Sequence, residues 1–251
     1  YDVGFIDFED ENLSLDKKWF TSLFEKILPL VRDRNIEMRA MNGLFPPSID
    51  TDIVQLMKTA GFKTLNLSLG STSRAQLARF KRKDVRTAYE RALDFAQEQG
   101  METVSYIIGA APGQSADDSL SDLLYLAGQQ TLAGFSVYYP APGSLDYQAC
   151  EKKGLLPAHF IQMRSTALPV QDMTSRLDAA TLLRLSRIVN FMKFLIDTDG
   201  RIPDPEPFSS EQFDPGLTRK QITKKLIQWL LHDAKIRGIL PDGTVYVHHS
   251  S

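Results

Sequence analysis

The chain has 251 residues, a formal net charge of −2 at pH 7 and 43% hydrophobic residues. This length suits one large domain or one domain with an appendage, and the nearly balanced charge argues against a general polyanion-binding role. The single cysteine, Cys150, excludes an internal disulfide framework and fits a reducing, cytoplasmic compartment. No apolar run reaches membrane-spanning length, which predicts a protein without a membrane partner.

Strand-like and helix-like segments alternate from Val3 to Tyr139. Short apolar runs predict strands at 3–8, 35–41, 62–69, 103–109 and 134–139. Segments with apolar residues at helical spacing predict helices between them, at 14–31, 50–60, 85–99 and 115–130. Such alternation is typical of parallel strands joined by right-handed crossovers, in an open doubly wound sheet or in a (β/α) barrel.

Polar residues and glycines gather where each predicted strand ends. In both architectures, ligands bind at the carboxyl ends of parallel strands. The residues in question are Glu9, Asp10, Glu11 and Asn12; Arg39, Asn42 and Gly43; Ser71, Thr72 and Ser73; Gly109 to Gln114; and Tyr138 to Gly143. After Gly109, a tight turn leads to Ser115 and Asp118, which have the spacing of a helix capping box.

The alternation stops after Gly143. Helices are predicted at 144–153, 175–196 and 218–237, with a short strand at 244–247. The expected organisation is therefore an α/β domain over 1–147 and a mostly helical C-terminal extension over 148–251.

Five strand-end motifs, in order over about the first 145 residues, resemble the radical S-adenosylmethionine (radical SAM) superfamily. The branch concerned is the one often joined to a cobalamin-binding domain. Phe5–Leu13 resembles its second barrel strand, which ends in acidic residues before an Asn. The others are Asn42–Leu44 with the helix that follows, Leu67–Ser73, Tyr106–Ser115 (similar to Gly-x-Pro-Gly-Glu-Thr) and Phe135–Ser144 (similar to Pro-x-Pro-Gly-Thr).

The resemblance implies a partial, TIM-like (β/α) barrel that binds S-adenosylmethionine (SAM). It also implies a 4Fe-4S cluster, reductive SAM cleavage for radical modification or methyl transfer, and cobalamin in an upstream domain. The superfamily holds its cluster with a Cys-x3-Cys-x2-Cys loop after the first strand, and this chain has none. We therefore expect that loop to lie N-terminal to Tyr1 and the chain alone to be inactive. Thr72 and Gln114 also depart from the family pattern. The family has Glu or Gln at the position of Thr72 and Glu at the position of Gln114.

Site residues follow from the same resemblance. Glu9, Asp10 or Glu11 would bind the SAM ammonium group, unless this is only a solvated acidic loop. Arg39 would balance the SAM carboxylate, with a surface salt bridge as the alternative. The remaining expected cofactor-binding residues are Asn12, Ser71 to Ser73 at the ribose (alternatively a turn capping the next helix), Ile108 and Gly109 at the adenine, and Pro112.

Two other functions fit the residues. The acidic cluster could bind a metal in an ordinary (β/α)-barrel enzyme, or a degenerate barrel could serve as a non-catalytic binding module. The substrate is expected to be a small or anionic molecule. Basic runs at Arg79, Lys81, Arg82, Lys83 and Arg86, and at Arg219, Lys220, Lys224 and Lys225, are solvated faces or meet an anionic substrate or RNA. An open edge at Val3–Phe8 would favour dimerisation.

Overall fold

The structure is a computed structural model that describes residues 3–31, 34, 36–214 and 216–248, without the side chain of Ser165. The chain divides into two compact units, Tyr1–Thr174 and Ser175–Ser251. This boundary falls later than the division after residue 147 that the sequence suggests.

The first unit contains five parallel strands: β1 (Phe5–Asp7), β2 (Glu37–Arg39), β3 (Thr64–Gly70), β4 (Glu102–Gly109) and β5 (Leu132–Val137). β1 pairs with β2, and β3, β4 and β5 pair in that order. Isolated parallel bridges, Met38 to Phe62 and Leu44 to Leu67, link the β2 segment to β3. The predicted start of the second strand, Asn35, lies outside the described residues.

This strand order decides between the two predicted architectures. A doubly wound sheet reverses its strand order at a switch point, whereas a barrel wall places each strand beside the next in the chain. The five strands follow chain order. The first unit therefore has the order of a barrel wall, and the described strands do not close into a barrel.

Among the described residues, six α-helices connect and follow these strands: α1 (Lys17–Val31), α2 (Thr51–Ala60), α3 (Arg74–Arg79), α4 (Arg86–Glu98), α5 (Ala116–Ala127) and α6 (Leu145–Lys152). The capping box predicted at Ser115 and Asp118 is confirmed at the start of α5, and Asp50 caps α2 by accepting from Ile53 N. The short helix α3, which ends at Arg79, was not predicted from the sequence.

The two faces of the sheet have different surroundings. Phe8 packs against Phe24 of α1 with ring centroids 5.5 Å apart, and the Tyr89 hydroxyl of α4 donates to Ser105 Oγ at 2.8 Å. Phe8 and Ser105 therefore face the helices. Because side chains alternate along a strand, Asp7 and Tyr106 lie on the other face, which we call the second face. Arg39, Ser68 and Ile108 share it.

The second unit contains α7 (Arg176–Asp199), α8 (Arg219–Asp233) and an antiparallel pair, β6 (Arg237–Ile239) with β7 (Val245–Val247). α8 ends earlier than predicted because Ala234 adopts a left-handed conformation with φ +57°. Trp229 is buried against Phe208 and Phe213, with ring centroids 4.8 and 5.4 Å away. None of the described helices is both long and apolar enough to cross a membrane.

Candidate functional site

A cavity of about 760 Å³ lies at the carboxyl ends of β1, β2 and β3. We call it the rim cavity. Its volume is in the range of roughly 300–1,000 Å³ that is usual for small-molecule sites. The loops after β1, β2 and α3 and the end of β3 supply its lining: Glu9, Glu11, Asn12, Leu15, Asn42, Gly43, Phe45, Ser68, Leu69, Lys81, Arg82, Lys83 and Val85.

One hydrogen bond and one close backbone contact hold the loops after β1 and β2 in place. Asn42 Nδ2 donates to the Glu9 carbonyl oxygen at 2.8 Å, which ties the loop after β2 to the loop after β1. Gly43 has φ +85°, and a Cβ there would lie 3.3 Å from Ser68 Cβ and 3.4 Å from Tyr106 Cδ2. The backbone at Gly43 therefore lies close against the second face, where a larger residue would be strained and crowded.

The rim cavity contains charges of both signs. Glu9 and Glu11 are exposed carboxylates from the loop after β1, and Lys81, Arg82 and Lys83 come from the loop after α3. Arg82 Nη1 donates to Ser68 Oγ at 3.5 Å, which directs the guanidinium towards the end of β3. A ligand with both cationic and anionic groups would find partners for each.

Asp7 and Arg39 are opposite each other in the parallel register but do not pair. Arg39 Nε donates to Glu37 Oε1 at 2.7 Å, and its guanidinium lies 4.3 Å from the centre of the Phe5 ring. Arg39, with Lys63, lowers the pKa of Glu37. Asp7 Oδ1 is buried and has no hydrogen-bond partner in the described part of the chain. The arginine thus makes the salt bridge given as the alternative, and the aspartate keeps an unused acceptor.

The loop after β3 is held by a buried carboxylate on α5. Asp122 Oδ2 accepts from Ser71 Oγ at 2.7 Å, and Asp122 Oδ1 accepts from Thr72 N and Thr72 Oγ1 at 2.6 and 2.5 Å. Burial raises the pKa of Asp122, although the bonds from Thr72 oppose the shift. Ser73 caps α3 by accepting from Gln76 N. All three residues therefore have structural partners.

The turn after β4 is organised by Gln114, which is fully buried. Its Oε1 accepts from Ala111 N at 3.1 Å, and its Nε2 donates to the Ile108 carbonyl oxygen at 3.2 Å. A carboxylate could accept from Ala111 but could not donate to Ile108. The departure from the family residue at position 114 thus has a local reason.

Ile108 and Gly109, expected at the adenine, and Pro112, expected to bind the cofactor, have different surroundings. Ile108 is half-buried on the second face, and Pro112 is buried in the turn. A Cβ on Gly109 would lie 2.1 Å from Phe135 Cζ, so this glycine is required by packing against β5.

The described residues lack the ligands for an iron-sulfur cluster or a metal ion. Cys150 is 1% exposed in α6 and is the single cysteine of the sequence, so a 4Fe-4S cluster does not fit this chain by itself. No three His, Cys, Asp or Glu side chains within residues 3–31, 34, 36–214 and 216–248 come together as metal ligands would.

The structure brings together some expected site residues and separates others. Glu9 and Asn12 line the rim cavity, and Asp10 is exposed on the same loop. The others lie elsewhere on the strand ends: Arg39, Ser71, Thr72, Ser73, Ile108, Gly109 and Pro112. Sequence reasoning missed Asp122, which stands beside the apolar stripe of α5 and carries no motif that would identify it.

The first unit thus combines parallel strands in chain order, helices on one face and a polar cavity at the strand ends. Among solved structures, the chain resembles the radical S-adenosylmethionine methyltransferase TsrM from Kitasatospora setae, with cobalamin and a 4Fe-4S cluster bound. The TM-score is 0.51 at 15% identity, over 62% of this chain and 32% of that one. The chain thus spans about a third of TsrM, and the likeness shows the fold alone.

Two further structures match with lower scores. Coproporphyrinogen III oxidase HemN from Escherichia coli has a TM-score of 0.46 at 17% identity, over 73% of this chain and 37% of that one. Methylornithine synthase PylB has a TM-score of 0.47 at 11% identity, over 74% and 48%. No family model and no curated protein matches the sequence.

Proposed function

We propose that this chain is the SAM-binding part of a radical SAM enzyme, with the rim cavity as the cofactor site. The observation that supports this most directly is the mixed charge of a cavity of about 760 Å³ at the strand ends of this fold. Glu9 and Glu11 would bind the cationic end of SAM, and the loop carrying Arg82 would bind its carboxylate. Asp7 Oδ1 offers a further buried hydrogen-bond acceptor at the end of β1, just before the loop that carries Glu9 and Glu11.

When bound together, SAM and a 4Fe-4S cluster supply a carbon radical for substrate modification or methyl transfer. The thiolates for such a cluster would come from outside this chain, because Cys150 is buried and alone. The proposal therefore assigns binding and orientation of SAM to these residues. The electron, and cobalamin if it takes part, would come from elsewhere in the complete enzyme.

The test is direct binding of S-adenosylhomocysteine and SAM to the full 251-residue chain by isothermal titration calorimetry. SAM is expected to bind more tightly than S-adenosylhomocysteine, because its sulfonium adds a positive charge near two carboxylates. The double variant Glu9→Gln/Glu11→Gln should weaken SAM binding by about tenfold. Its matched control is Glu98→Gln/Glu102→Gln, which removes the same charge from exposed positions outside the cavity.

Loss of affinity in both variants would mean that only the total charge matters, and the proposed site would be wrong. A wild-type chain that binds neither compound would contradict the function itself. The non-catalytic binding module predicted as an alternative would then remain to be tested with other ligands.

A further inference from the structure

Four cations on one segment lack ion-pair partners among the described residues. They are Arg79 at the end of α3 and Lys81, Arg82 and Lys83 in the loop that follows, and together we call them the basic loop. The neighbouring Arg86, in contrast, pairs with Asp84 at 2.5 Å. A loop whose cations are neutralised internally would be a plain solvated surface. This loop keeps its positive charge available to a ligand.

The arginines of the basic loop reach back over the strand ends. Arg82 Nη1 lies 3.3 Å from the position of a Cβ on Gly70, the last residue of β3. Arg79 Nη1 lies 2.9 Å from the corresponding position on Gly113, in the turn after β4. Lys81, Arg82 and Lys83 line the rim cavity. The charge is therefore directed at the carboxyl ends of the sheet.

The backbone gives no reason for a lysine at position 81. Lys81 has φ +53°, the left-handed conformation in which glycine usually ends a helix. The Arg82 N–H donates to the Leu77 carbonyl oxygen at 2.9 Å and closes the end of α3. A glycine would make this turn with less strain. The lysine thus adds a positive charge to this turn at a conformational cost that a glycine would not have.

From these observations we infer that the basic loop binds a small substrate with at least two negative charges, a phosphate ester or a polycarboxylate. This inference rests on the proposed function, in which the rim cavity also holds SAM. A nucleic acid fits less well, because Glu9 and Glu11 line the same cavity and would repel an extended phosphate backbone. The chain as a whole is also slightly acidic, with a net charge of −2.

The experiment titrates pyrophosphate, citrate and a single-stranded RNA oligonucleotide into the full chain at fixed ionic strength. Pyrophosphate and citrate distinguish a phosphate ligand from a polycarboxylate, and binding of either supports the inference. The variant Lys81→Gly/Arg82→Gln/Lys83→Gln is expected to weaken that binding by about tenfold or more. The control variant Lys18→Gln/Lys26→Gln/Arg91→Gln removes equal charge from exposed helix positions and should change affinity by less than about twofold.

Thermal unfolding tests whether the loss of anion binding comes from a folding defect. The single variant Lys81→Gly should bind the anion more weakly while unfolding at the same or a higher temperature. Equal losses in the basic-loop and control variants, or tighter binding of RNA than of either small anion, would overturn the inference. A wild-type chain that binds S-adenosylhomocysteine but neither anion would overturn it and leave the proposed function standing. Anion binding without S-adenosylhomocysteine binding would contradict the proposed function and would leave the basic loop as an anion-binding site without that context.

Discussion

Asp122 Oδ1 accepts two hydrogen bonds from one residue, the backbone N–H of Thr72 at 2.6 Å and its hydroxyl at 2.5 Å. The carboxylate is fully buried on α5, and its other oxygen accepts from Ser71. The loop after β3 is thus held to α5, the third helix that follows it in the chain. Thr72, expected at a ribose, is used to position this loop.

Removing the Asp122 carboxylate should destabilise the loop after β3. Asp122→Ala leaves the donors of Ser71 and Thr72 unpaired in a buried place, and we expect it to lower the free energy of unfolding by roughly 1–3 kcal/mol. Asp122→Asn keeps an acceptor for Thr72 and should be milder. Urea denaturation measures both, with the exposed Asp117→Asn on the same helix as the control. Equal stability of the alanine variant and the wild type would contradict this role.

The pH dependence of the Asp122 contribution has a definite sign. Burial raises the pKa of Asp122 above its ordinary value of 3.8, so folding favours the protonated acid. The contribution of Asp122 to the free energy of unfolding is fully present below its pKa in the unfolded chain. This contribution is lost as the pH rises through its pKa in the folded chain. The stability of the wild type relative to Asp122→Asn should therefore fall as the pH rises above the ordinary pKa of 3.8. A relative stability that rises with pH in this range would show that the shift has the opposite direction.

Gly109→Ala should destabilise the sheet through packing alone. The added methyl would lie 2.1 Å from Phe135 Cζ, and overpacking of this kind costs about 1–3 kcal/mol. The double variant Gly109→Ala/Phe135→Leu should recover part of the loss. Gly128→Ala, whose Cβ would lie 3.6 Å from its nearest neighbour, is the control. If Gly109→Ala unfolds like the wild type but binds S-adenosylhomocysteine more weakly, the glycine would instead be a ligand contact.

Tyr89 should limit stability at alkaline pH. It is fully buried in α4, and its hydroxyl donates to Ser105 Oγ at 2.8 Å. Burial raises the pKa of Tyr89 from 10.0 to about 12, so folding favours the neutral phenol. The Tyr89 contribution is present below the unfolded pKa and is lost as the pH rises towards the folded pKa.

The Tyr89→Phe variant removes this titration. It should lose about 1 kcal/mol with the hydrogen bond at neutral pH, yet its stability should decline less than that of the wild type between about pH 10 and about pH 12. Tyr139→Phe, at an exposed position, is the matched control. Parallel alkaline declines in the wild type and Tyr89→Phe would exclude this tyrosine as the cause.

The sequence by itself determined the strands of the first unit, most of its helices and the parallel arrangement of the strands. Local signals suffice for this, because the Asp50 cap, the Ser115 capping box and the short apolar strands depend on neighbours a few residues away. The strand-end motifs also indicated the fold, and the sequence predicted that polar residues such as Glu9 and Asn12 follow the strands, because parallel strands bring their carboxyl ends to one edge. The short helix α3 was missed, since its turn and basic residues carry no apolar stripe.

Only the tertiary structure decided what each strand-end residue contacts. Ser71 and Thr72 bond to Asp122 some 50 residues later, and Gly109 is required by Phe135 on the next strand. Lys81, Arg82 and Lys83 share a cavity with Glu9 and Glu11 because three separate loops converge there. Such partners depend on which segments the folded chain brings within a few ångströms of each other. Separation along the sequence does not determine that distance.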